Sequence, residues 1–472
     1  MSSPIVIELE GHVEHERQGK QFYVPFEVPV GTSEIHAIYS YSHKGNGNNL
    51  DFGLYGLDTE LNTSEFKGWS GGARDQFTIA YDQATPGYLA GPITAGIWHI
   101  TFGPYRVLEK EGIDWKLTIT MKVEAGSKTV KPFAPTPAPA RALTYRKSSP
   151  YGNDLSWASS WHRGDLHVHS VHSDGQHEPS ELIAAAKARG LDFFFSTEHN
   201  TSSAGLVWGK YVPEDFLVGR GEEVTTRFGH WNAIGLEVGQ WIDARIPDDE
   251  SLKKAVAQVH DSDGFSIINH PFDIQLACGW DYSYIDEMDA IEVWNGPWKG
   301  HENDFRNIEA VERWDQYLRD DKIYTAVGAS DCHFMPRDTI GSPQTVVNSG
   351  DLSVASIIRA LRQRKAYIVS QPEYHIRFEL VDGDSGEIAE TGGILSRDSN
   401  FSVRVLTRGF GASTLHILSN EGAALPPQSL QGDEELILKL SPRSSRKWLR
   451  VEIRDLDNNM LGLTNPVWFA KR

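Results

Sequence analysis

Between Trp161 and about Ser370, short apolar runs repeatedly end in histidine, aspartate or glutamate and are followed by helix-like segments. Strands that alternate with helices are typical of α/β folds, in which functional groups gather at the carboxyl ends of the strands. The polar ends are His167 and His169 in GDLHVHSVHSDG, His199 in STEHN, Glu223 in GEEVTT, His270 in INHP, and Asp331 and His333 in SDCH. The pattern therefore predicts that these side chains converge on one rim.

The spacing within these clusters favours metal binding. His167 and His169 are two residues apart in a predicted strand, so both imidazoles point to the same face. His270 precedes Pro271, whose ring favours an extended histidine backbone. Imidazole and carboxylate suit zinc, manganese or iron, and a chain with only two cysteines offers no thiolate pairs for a zinc finger. The alternative for each single histidine is a hydrogen-bonded core residue.

Two regions of β pattern flank this segment. Residues 1–125 alternate apolar and polar residues between glycine- and proline-rich turns, which is typical of a β-sandwich. Residues 126–160 contain the run PFAPTPAPA and are expected to form an extended linker. Residues 161–370 are the α/β segment, and residues 371–472 return to short β runs that predict a second, small β-sandwich.

Size and charge narrow the class of protein. A chain of 472 residues is expected to form several domains, and its net charge of −19 argues against a nucleic-acid polymer as partner. A small anion held by metal ions is compatible with that charge. We find no disulfide framework, no basic leader before an apolar run, and no stretch near the ~18 apolar residues of a membrane helix. We therefore expect a cytoplasmic protein without a membrane span.

The segments GDLHVHSVHSDG, STEHN, GEEVTT with GHWN, INHP and SDCH resemble, in this order, the motifs of the PHP (polymerase and histidinol phosphatase) superfamily. The resemblance covers roughly residues 161–370. The flanking β domains and the sequences of the GEEVTT and GHWN segments resemble those of its CehA/McbA-type metallohydrolase branch. The resemblance implies an α/β fold, a distorted (β/α)7 barrel flanked by N- and C-terminal β-sandwiches, with a trinuclear metal centre at the rim of carboxyl strand ends.

The resemblance also implies a set of nine metal ligands. Glu223 is preferred to Glu222 because the family pattern places the ligand two residues after the glycine. The cofactors implied are two or three divalent ions, Zn, Mn or Fe. In three groups, the ligands are His167, His169, Glu223 and Asp331; the bridging Glu223 with His230 and His270; and Asp174, His199 and His333.

The chain departs from the usual family pattern at two positions, one of them a ligand, and four residues near the ligands have expected roles. Glu198 stands where the family often has aspartate, and Asp174 is histidine in some relatives. Asp165 and Asn269 adjoin ligands and are expected to orient imidazole N–H groups. Outside the ligand pattern, His172 and His177 are candidates for a proton donor or phosphate contact, with exposed loop histidines as the alternative.

Basic and aromatic residues also lie near the predicted rim. The candidate anion contacts are Arg227, Lys299 and Arg337, with ordinary solvated cations as the alternative. The tryptophans that would line a pocket for an aryl group, or else belong to the core, are Trp208, Trp231, Trp280, Trp294 and Trp298.

A water or hydroxide that bridges two metal ions has a lowered pKa and attacks phosphorus or carbon. The leading expectation is a metal-dependent hydrolase of phosphate esters with a small-molecule ester substrate. Two alternatives stay open: hydrolysis of aryl carbamates or carboxylic esters, and a binding module with a vestigial metal site. The oligomeric state does not follow from the sequence.

Overall fold

The computed structural model describes residues 3–56, 66–124, 131–144, 161–273, 279–283, 285–298, 306–335, 337–396, 400–441 and 443–470. The chain has a mixed α/β architecture with many strands and few helices. None of the described helices is long and apolar enough to cross a membrane. Lys299 and most of the expected linker lie outside the described residues.

The first 123 residues form two four-stranded sheets of antiparallel strands. Strand order is β1-β8-β3-β6 in one sheet and β2-β7-β4-β5 in the other. Apolar side chains of both sheets form one buried core, which includes Phe52, Trp98 and Phe102. The strands are β1 (Ile5–Val13), β2 (Phe22–Val28), β3 (Thr32–Tyr41), β4 (Asn49–Tyr55), β5 (Phe66–Gly71), β6 (Gln76–Ala80), β7 (Gly96–Arg106) and β8 (Ile113–Val123). We call this unit the N-terminal sandwich.

The central segment contains nine strands and the four described α-helices. The strands are β9 (Trp161–Val168), β10 (Phe193–His199), β11 (Leu217–Thr226), β12 (Gly229–Ile234), β13 (Phe265–Ile268), β14 (Ala290–Asn295), β15 (Thr325–Ala329), β16 (Gln344–Asn348) and β17 (Ala366–Val369). The helices are α1 (Pro179–Ala188), α2 (Asp249–His260), α3 (Asn307–Arg319) and α4 (Val354–Arg362).

The central sheet curls back on itself. Its order is β15-β14-β13-β12-β11-β10-β9, continued by β16 and β17. Just beyond β15, the peptide N–H of His169 donates to the Cys332 carbonyl at 3.1 Å, next to a parallel bridge between Val168 and Cys332. The carboxyl ends of β9 and β15, which are the two outermost of the seven strands from β15 to β9, therefore meet. This brings segments that are far apart in sequence to one rim.

A short hairpin interrupts the parallel order that the sequence predicts. Only Arg227 and Phe228 connect β11 to β12, and two residues are too few for the crossover that a parallel pair needs. β12 is therefore antiparallel to both β11 and β13. Helix α1 begins after the N-cap Glu178, with Pro179 in the first turn and the Glu178 N–H donating to the Glu181 carboxylate at 2.9 Å.

The last hundred residues form two packed sheets, one of which continues the central sheet. β17 pairs with β27, so the central sheet runs on through β26 and β22. The second sheet has the order β19-β18-β21-β25, and a shared apolar core lies between the two. The strands are β18 (His375–Asp382), β19 (Ile388–Glu390), β20 (Ile394–Leu395), β21 (Phe401–Arg408), β22 (Ser413–Ser419), β23 (Gly422–Ala423), β24 (Gln428–Leu430), β25 (Glu434–Leu440), β26 (Trp448–Arg454), β27 (Met460–Thr464) and β28 (Val467–Phe469).

The N-terminal sandwich is docked on the loop that follows β9. The Arg74 guanidinium donates to the carbonyls of Val171 and Ser173, the latter at 2.7 Å. The Thr201 hydroxyl donates to the Gly87 carbonyl at 2.9 Å. Elsewhere in the interface, the rings of Phe66 and Trp241 stack with centroids 3.9 Å apart. These contacts hold the sandwich against the GDLHVHSVHSDG segment.

Gly87 is a close-contact point of this interface. A Cβ atom there would lie 2.7 Å from the Trp69 carbonyl and 2.9 Å from the His172 carbonyl, at φ +97°. We predict that Gly87→Ala lowers the melting temperature, because overpacking of this kind costs about 1–3 kcal/mol. Gly422→Ala is the matched control, since Gly422 has φ +94° with no atom within 4 Å of the built Cβ. Equal calorimetric shifts for both variants would contradict the prediction.

Candidate metal centre

One rim of the curled sheet brings all nine expected ligands together: eight lie near or beyond the carboxyl ends of strands, and His230 lies at the start of the antiparallel β12. They form overlapping groups in which one nitrogen or carboxylate oxygen of each residue lies within 4.8 Å of the others. The four groups are His167, His169 and Asp331; His167, Glu223 and His270; His199, Glu223 and His230; and His169, Asp174, His199 and His333.

His167 and His169 share two carboxylates. Their Nε2 atoms are each 3.4 Å from Glu223 Oε2. The same two nitrogens lie 3.2 and 3.0 Å from Asp331 Oδ1. β9 supplies this pair at its end, and the segment after β15 supplies Asp331. Two imidazoles and two carboxylate oxygens therefore surround one point.

The other oxygen of Glu223 faces a second pair of histidines. Glu223 Oε1 is 3.2 Å from His230 Nδ1 and 3.3 Å from His270 Nε2. The Asn269 side-chain amide donates to the same oxygen at 2.9 Å and fixes the carboxylate. Because its two oxygens face different histidine pairs, Glu223 has the geometry of a bridging ligand.

Asp174, His199 and His333 form the outermost part of the cluster. Asp174 Oδ1 is 3.2 Å from His333 Nε2 and 3.5 Å from His199 Nε2. His333 Nδ1 donates to the Asp331 carbonyl at 2.8 Å, which leaves Nε2 to act as a ligand. His199 Nδ1 lies 2.8 Å from Glu223 Oε2, so this group adjoins the other two.

Divalent ions fit the donor set of this cluster. Six of its nitrogen and oxygen atoms are buried and approach one another closely without forming a hydrogen bond of good geometry to any described residue. An unsatisfied buried polar atom costs about 1–3 kcal/mol, and several of them at one point is rare in native proteins. Imidazole nitrogen and carboxylate oxygen together suit zinc, manganese and iron. The atoms are His167 Nε2, His169 Nε2, Glu223 Oε2, His230 Nδ1 and Nε2, and Asp331 Oδ1.

Glu292 is a carboxylate of the site that the motifs do not contain. Its Oε1 is 3.3 Å from His167 Nδ1, and its Oε2 accepts from the His270 N–H at 2.9 Å and from Asn295 Nδ2 at 2.8 Å. It therefore orients His167 and fixes the backbone of His270. The available signal was a single charged residue in IEVWN, an otherwise apolar strand that is buried along its whole length.

Asp165 and Glu198 lie behind the expected ligands and accept hydrogen bonds from the loops that carry them. Asp165 accepts hydrogen bonds from the N–H groups of Ser330 and Gly341 and from the Ser330 hydroxyl. Glu198 accepts from the hydroxyls of Ser170 and Ser173 at 2.5 and 2.6 Å. Neither carboxylate bonds to an imidazole nitrogen among the described residues. Both instead fix the loops that carry ligands.

Two ligands have unusual backbone conformations. His270 has φ +23° and Asp331 has φ +51°. The extended conformation expected for His270 before Pro271 is therefore wrong. The His270 N–H bond to Glu292 and a bond from the Asp273 N–H to the His270 carbonyl hold the turn. Backbone strain of about 1–3 kcal/mol is typical of functional sites, where the surroundings impose it.

Charges within the cluster shift its pKa values in opposite directions. Burial lowers the pKa of the His167 imidazole, but Asp331 and Glu223 outweigh burial and raise it well above its usual value. Burial likewise lowers the pKa of His333, and Asp174 outweighs it and raises the pKa to about 10. For Glu223 and Asp331, burial raises the pKa, and the neighbouring imidazolium groups outweigh it and hold it well below the usual range. Bound ions would replace these imidazole protons.

His172 and His177 lie outside the four ligand groups. His172 is buried, and its Nδ1 is 2.9 Å from the Ser203 hydroxyl. Burial, assisted by the Arg74 cation, lowers the pKa of His172 to about 3, so its ring is neutral. His177 Nε2 accepts from the Met335 N–H at 2.9 Å.

A cleft of about 550 Å³ opens onto the metal centre, and the N-terminal sandwich forms one of its walls. Arg337, one of the expected anion contacts, forms an ion pair with Asp338 at 2.7 Å. The five expected rim tryptophans belong to the core or pack against it. The cleft is lined by Asp174, His199 and His230 of the metal centre and by Tyr41, Asp51, Trp69 and Tyr105 of the sandwich, among others.

No protein-family model matches the chain. It is 25% identical over 144 residues to an uncharacterized protein of Methanocaldococcus jannaschii. The aligned region covers 28% of this chain and 81% of that protein. Among solved structures it is similar to a Bacteroides vulgatus two-domain protein containing a predicted PHP-like metal-dependent phosphoesterase. That match has 18% identity, covers 65% of this chain and 95% of the other, and has a TM-score of 0.37.

Two further solved structures are more distant. An amidohydrolase from Chromobacterium violaceum has 18% identity and a TM-score of 0.28, covering 44% of this chain and 98% of that chain. A lesion-specific endonuclease from Pyrococcus furiosus has 15% identity and a TM-score of 0.29, covering 43% of this chain and 56% of that chain. PHP-like metal-dependent phosphoesterases are thus among the structural neighbours, at scores too low to indicate a shared activity.

Adjacent glutamates provide a matched test of the metal centre. Glu223 faces the histidines, whereas Glu222 accepts from the Ile242 N–H at 2.9 Å on the other face of β11. Burial raises the pKa of Glu222 well above its usual value, so glutamine mimics its neutral form. We predict that Glu223→Gln loses most of its bound metal, measured by elemental analysis, and that Glu222→Gln retains it. Equal metal content in both variants would exclude Glu223 as a ligand.

Metal binding is also expected to release protons at pH 7. His167, His199 and His333 have raised pKa values without ions and must lose their protons to become ligands. Affinity should therefore rise with pH through the neutral range and fall in acid. Calorimetric titration of the metal-free protein with zinc, in two buffers of different ionisation enthalpy, measures the release. Identical heats in both buffers would contradict this prediction.

Proposed function

We propose that the protein is a metal-dependent phosphoesterase of the PHP type that hydrolyses small-molecule phosphate esters. The observation that carries this proposal is the convergence of six imidazoles and three carboxylates, with buried unpaired atoms, beneath a cleft. The motif order over residues 161–370 supports the same family and its distorted (β/α)7 barrel, and the flanking β domains with the GEEVTT and GHWN segments support its CehA/McbA-type branch. The cleft volume of about 550 Å³ is that of a small-molecule site.

The geometry supports three ion positions. His167, His169 and Asp331 would hold one ion, and His230 and His270 a second, with Glu223 beside both pairs of histidines. Asp174, His199 and His333 would hold a third. These assignments follow the ligand sets implied by the family motifs.

The charge of such a centre favours an anionic ester. Three ligand carboxylates against three divalent ions leave a net positive charge, and two ions would still leave one. A phosphate monoester dianion matches that charge in a buried site, where electrostatic attraction is strong. A carbamate or carboxylic ester group is neutral before attack, so only the oxyanion that forms during hydrolysis would use that charge.

The residues of the chain position the reacting groups. When bound, divalent ions supply an activated water molecule and neutralise charge on the phosphoryl oxygens. The Asn269 side-chain amide donates a hydrogen bond of 2.9 Å to the Glu223 carboxylate. The Asn295 side-chain amide donates one of 3.4 Å to the Asp331 carboxylate. The N-terminal sandwich forms one wall of the cleft, through residues that include Trp69 and Tyr105.

The contacts favour supporting roles for the three residues expected to act beside the ligands. Asp165 holds the segment that leads to Asp331 through its bonds to Ser330. His172 supports the loop beneath the sandwich through Ser203, and His177 accepts from the Met335 N–H beside His333. All three therefore fix ligand-bearing loops.

Comparing three ester classes tests the proposal. We expect the metal-loaded protein to hydrolyse an aryl phosphate faster than an aryl phosphodiester or an aryl carbamate, and the Asp331→Ala/His333→Ala variant to lose at least about a hundredfold in rate. Trp69 and Tyr105 line the cleft and would accommodate an aryl group of any of the three, so the carbamate is the main competitor. A faster carbamate reaction would replace the phosphoesterase proposal, and an unchanged rate in the variant would exclude the metal centre.

A further inference from the structure

A second cavity, of about 380 Å³, adjoins the metal cleft. The two share Asp51, Trp69, Tyr105 and Thr225 as lining residues. The second cavity contains none of the nine ligands and extends between the N-terminal sandwich and the β11–β12 hairpin. A molecule bound at the metal centre can therefore extend past Trp69 into this space.

Aromatic side chains line much of this second cavity. The sandwich contributes Tyr23, Trp69 and Tyr105, and the hairpin contributes Phe228. Trp69 is only 5% exposed, so its position is fixed by packing. Flat rings on both sides of a cavity favour an aromatic group between them.

Two cations in this cavity have no carboxylate partner among the described residues. Arg227, at the hairpin tip, donates to the Gln18 carbonyl at 3.4 Å and lies 5.0 Å above the Phe228 ring, which leaves further N–H donors available. Lys20 is exposed at the same cavity. A third cation, Arg245, is instead neutralised by Asp243 through contacts of 2.5–2.9 Å.

The hairpin sets the distance between this cationic end and the metal centre. Arg227 lies in the turn three residues before His230, so their Cα atoms are at most roughly 10 Å apart. A benzene ring with a substituent opposite the ester oxygen spans most of that distance. Arg227 and Lys20 line this cavity and not the metal cleft, so a second anionic group is favoured beside them.

We propose that the phosphate ester has an aromatic leaving group with a second anionic substituent, which Arg227 and Lys20 bind in the adjoining cavity. This inference rests on the phosphoesterase activity proposed above and specifies its substrate class. It makes the N-terminal sandwich part of the substrate site, because Lys20, Trp69 and Tyr105 all belong to it.

The test compares 4-carboxyphenyl phosphate with its methyl ester, which has the same ring and phosphate but no second charge. We expect the metal-loaded protein to favour the carboxylate by roughly tenfold in kcat/KM, the size expected for a hydrogen bond to a charged group. Arg227→Gln and Lys20→Gln should bring this ratio towards one, and Arg227→Lys should restore part of it. Arg337→Gln is the control, since Arg337 is paired with Asp338 and should leave the ratio unchanged.

Each outcome supports or overturns the inference. Equal kcat/KM values for the two esters in the unaltered protein would overturn the second subsite and leave the phosphoesterase proposal standing. A preference that persists in both Arg227→Gln and Lys20→Gln would also overturn it. Failure to hydrolyse either ester would reject the proposed function and this inference with it.

Discussion

The site depends on the position of one carboxylate. Glu223 faces five of the six cluster histidines, and its two oxygens separate them into different groups. Its place is fixed by β11, by the Asn269 amide and by the tight connection to β12, which carries His230 on the neighbouring strand. Without a cation between them, the carboxylates of such a cluster are balanced only by imidazole protons. The fold therefore has a built-in requirement for positive charge at its rim.

Much of this centre can be predicted from the sequence, because ligand-type residues end successive apolar strands. Strand ends meet at one rim in α/β sheets, so residues separated by more than 160 positions, such as His167 and Asp331, are expected to come together. The β11–β12 hairpin was not predicted, because its turn residues Arg227 and Phe228 are not of the glycine- or asparagine-containing kind that marks a two-residue turn. Glu292 was also missed, since a lone acid in an apolar strand does not reveal what it contacts.

Tertiary packing determines what local patterns do not show. The turn at His270 overrides the local preference before Pro271 because the Glu292 carboxylate holds its N–H. The docking of the N-terminal sandwich depends on Arg74 and Gly87, two residues with no motif around them. The aromatic wall of the cleft comes from this sandwich and not from the tryptophans near the predicted rim. Which face of one domain meets another depends on shape and remote contacts that a single sequence does not display.

The unbroken hydrogen bonding from β17 to β27 has a consequence for dissecting the chain. Cutting near residue 371 would turn β17 into an edge strand, with its N–H and C=O groups unpaired along a buried, apolar stretch. Edges of that kind recruit other strands, so an isolated central segment should self-associate rather than stay monodisperse. The last hundred residues thus protect the sheet that carries the metal ligands, and the two have to be expressed together.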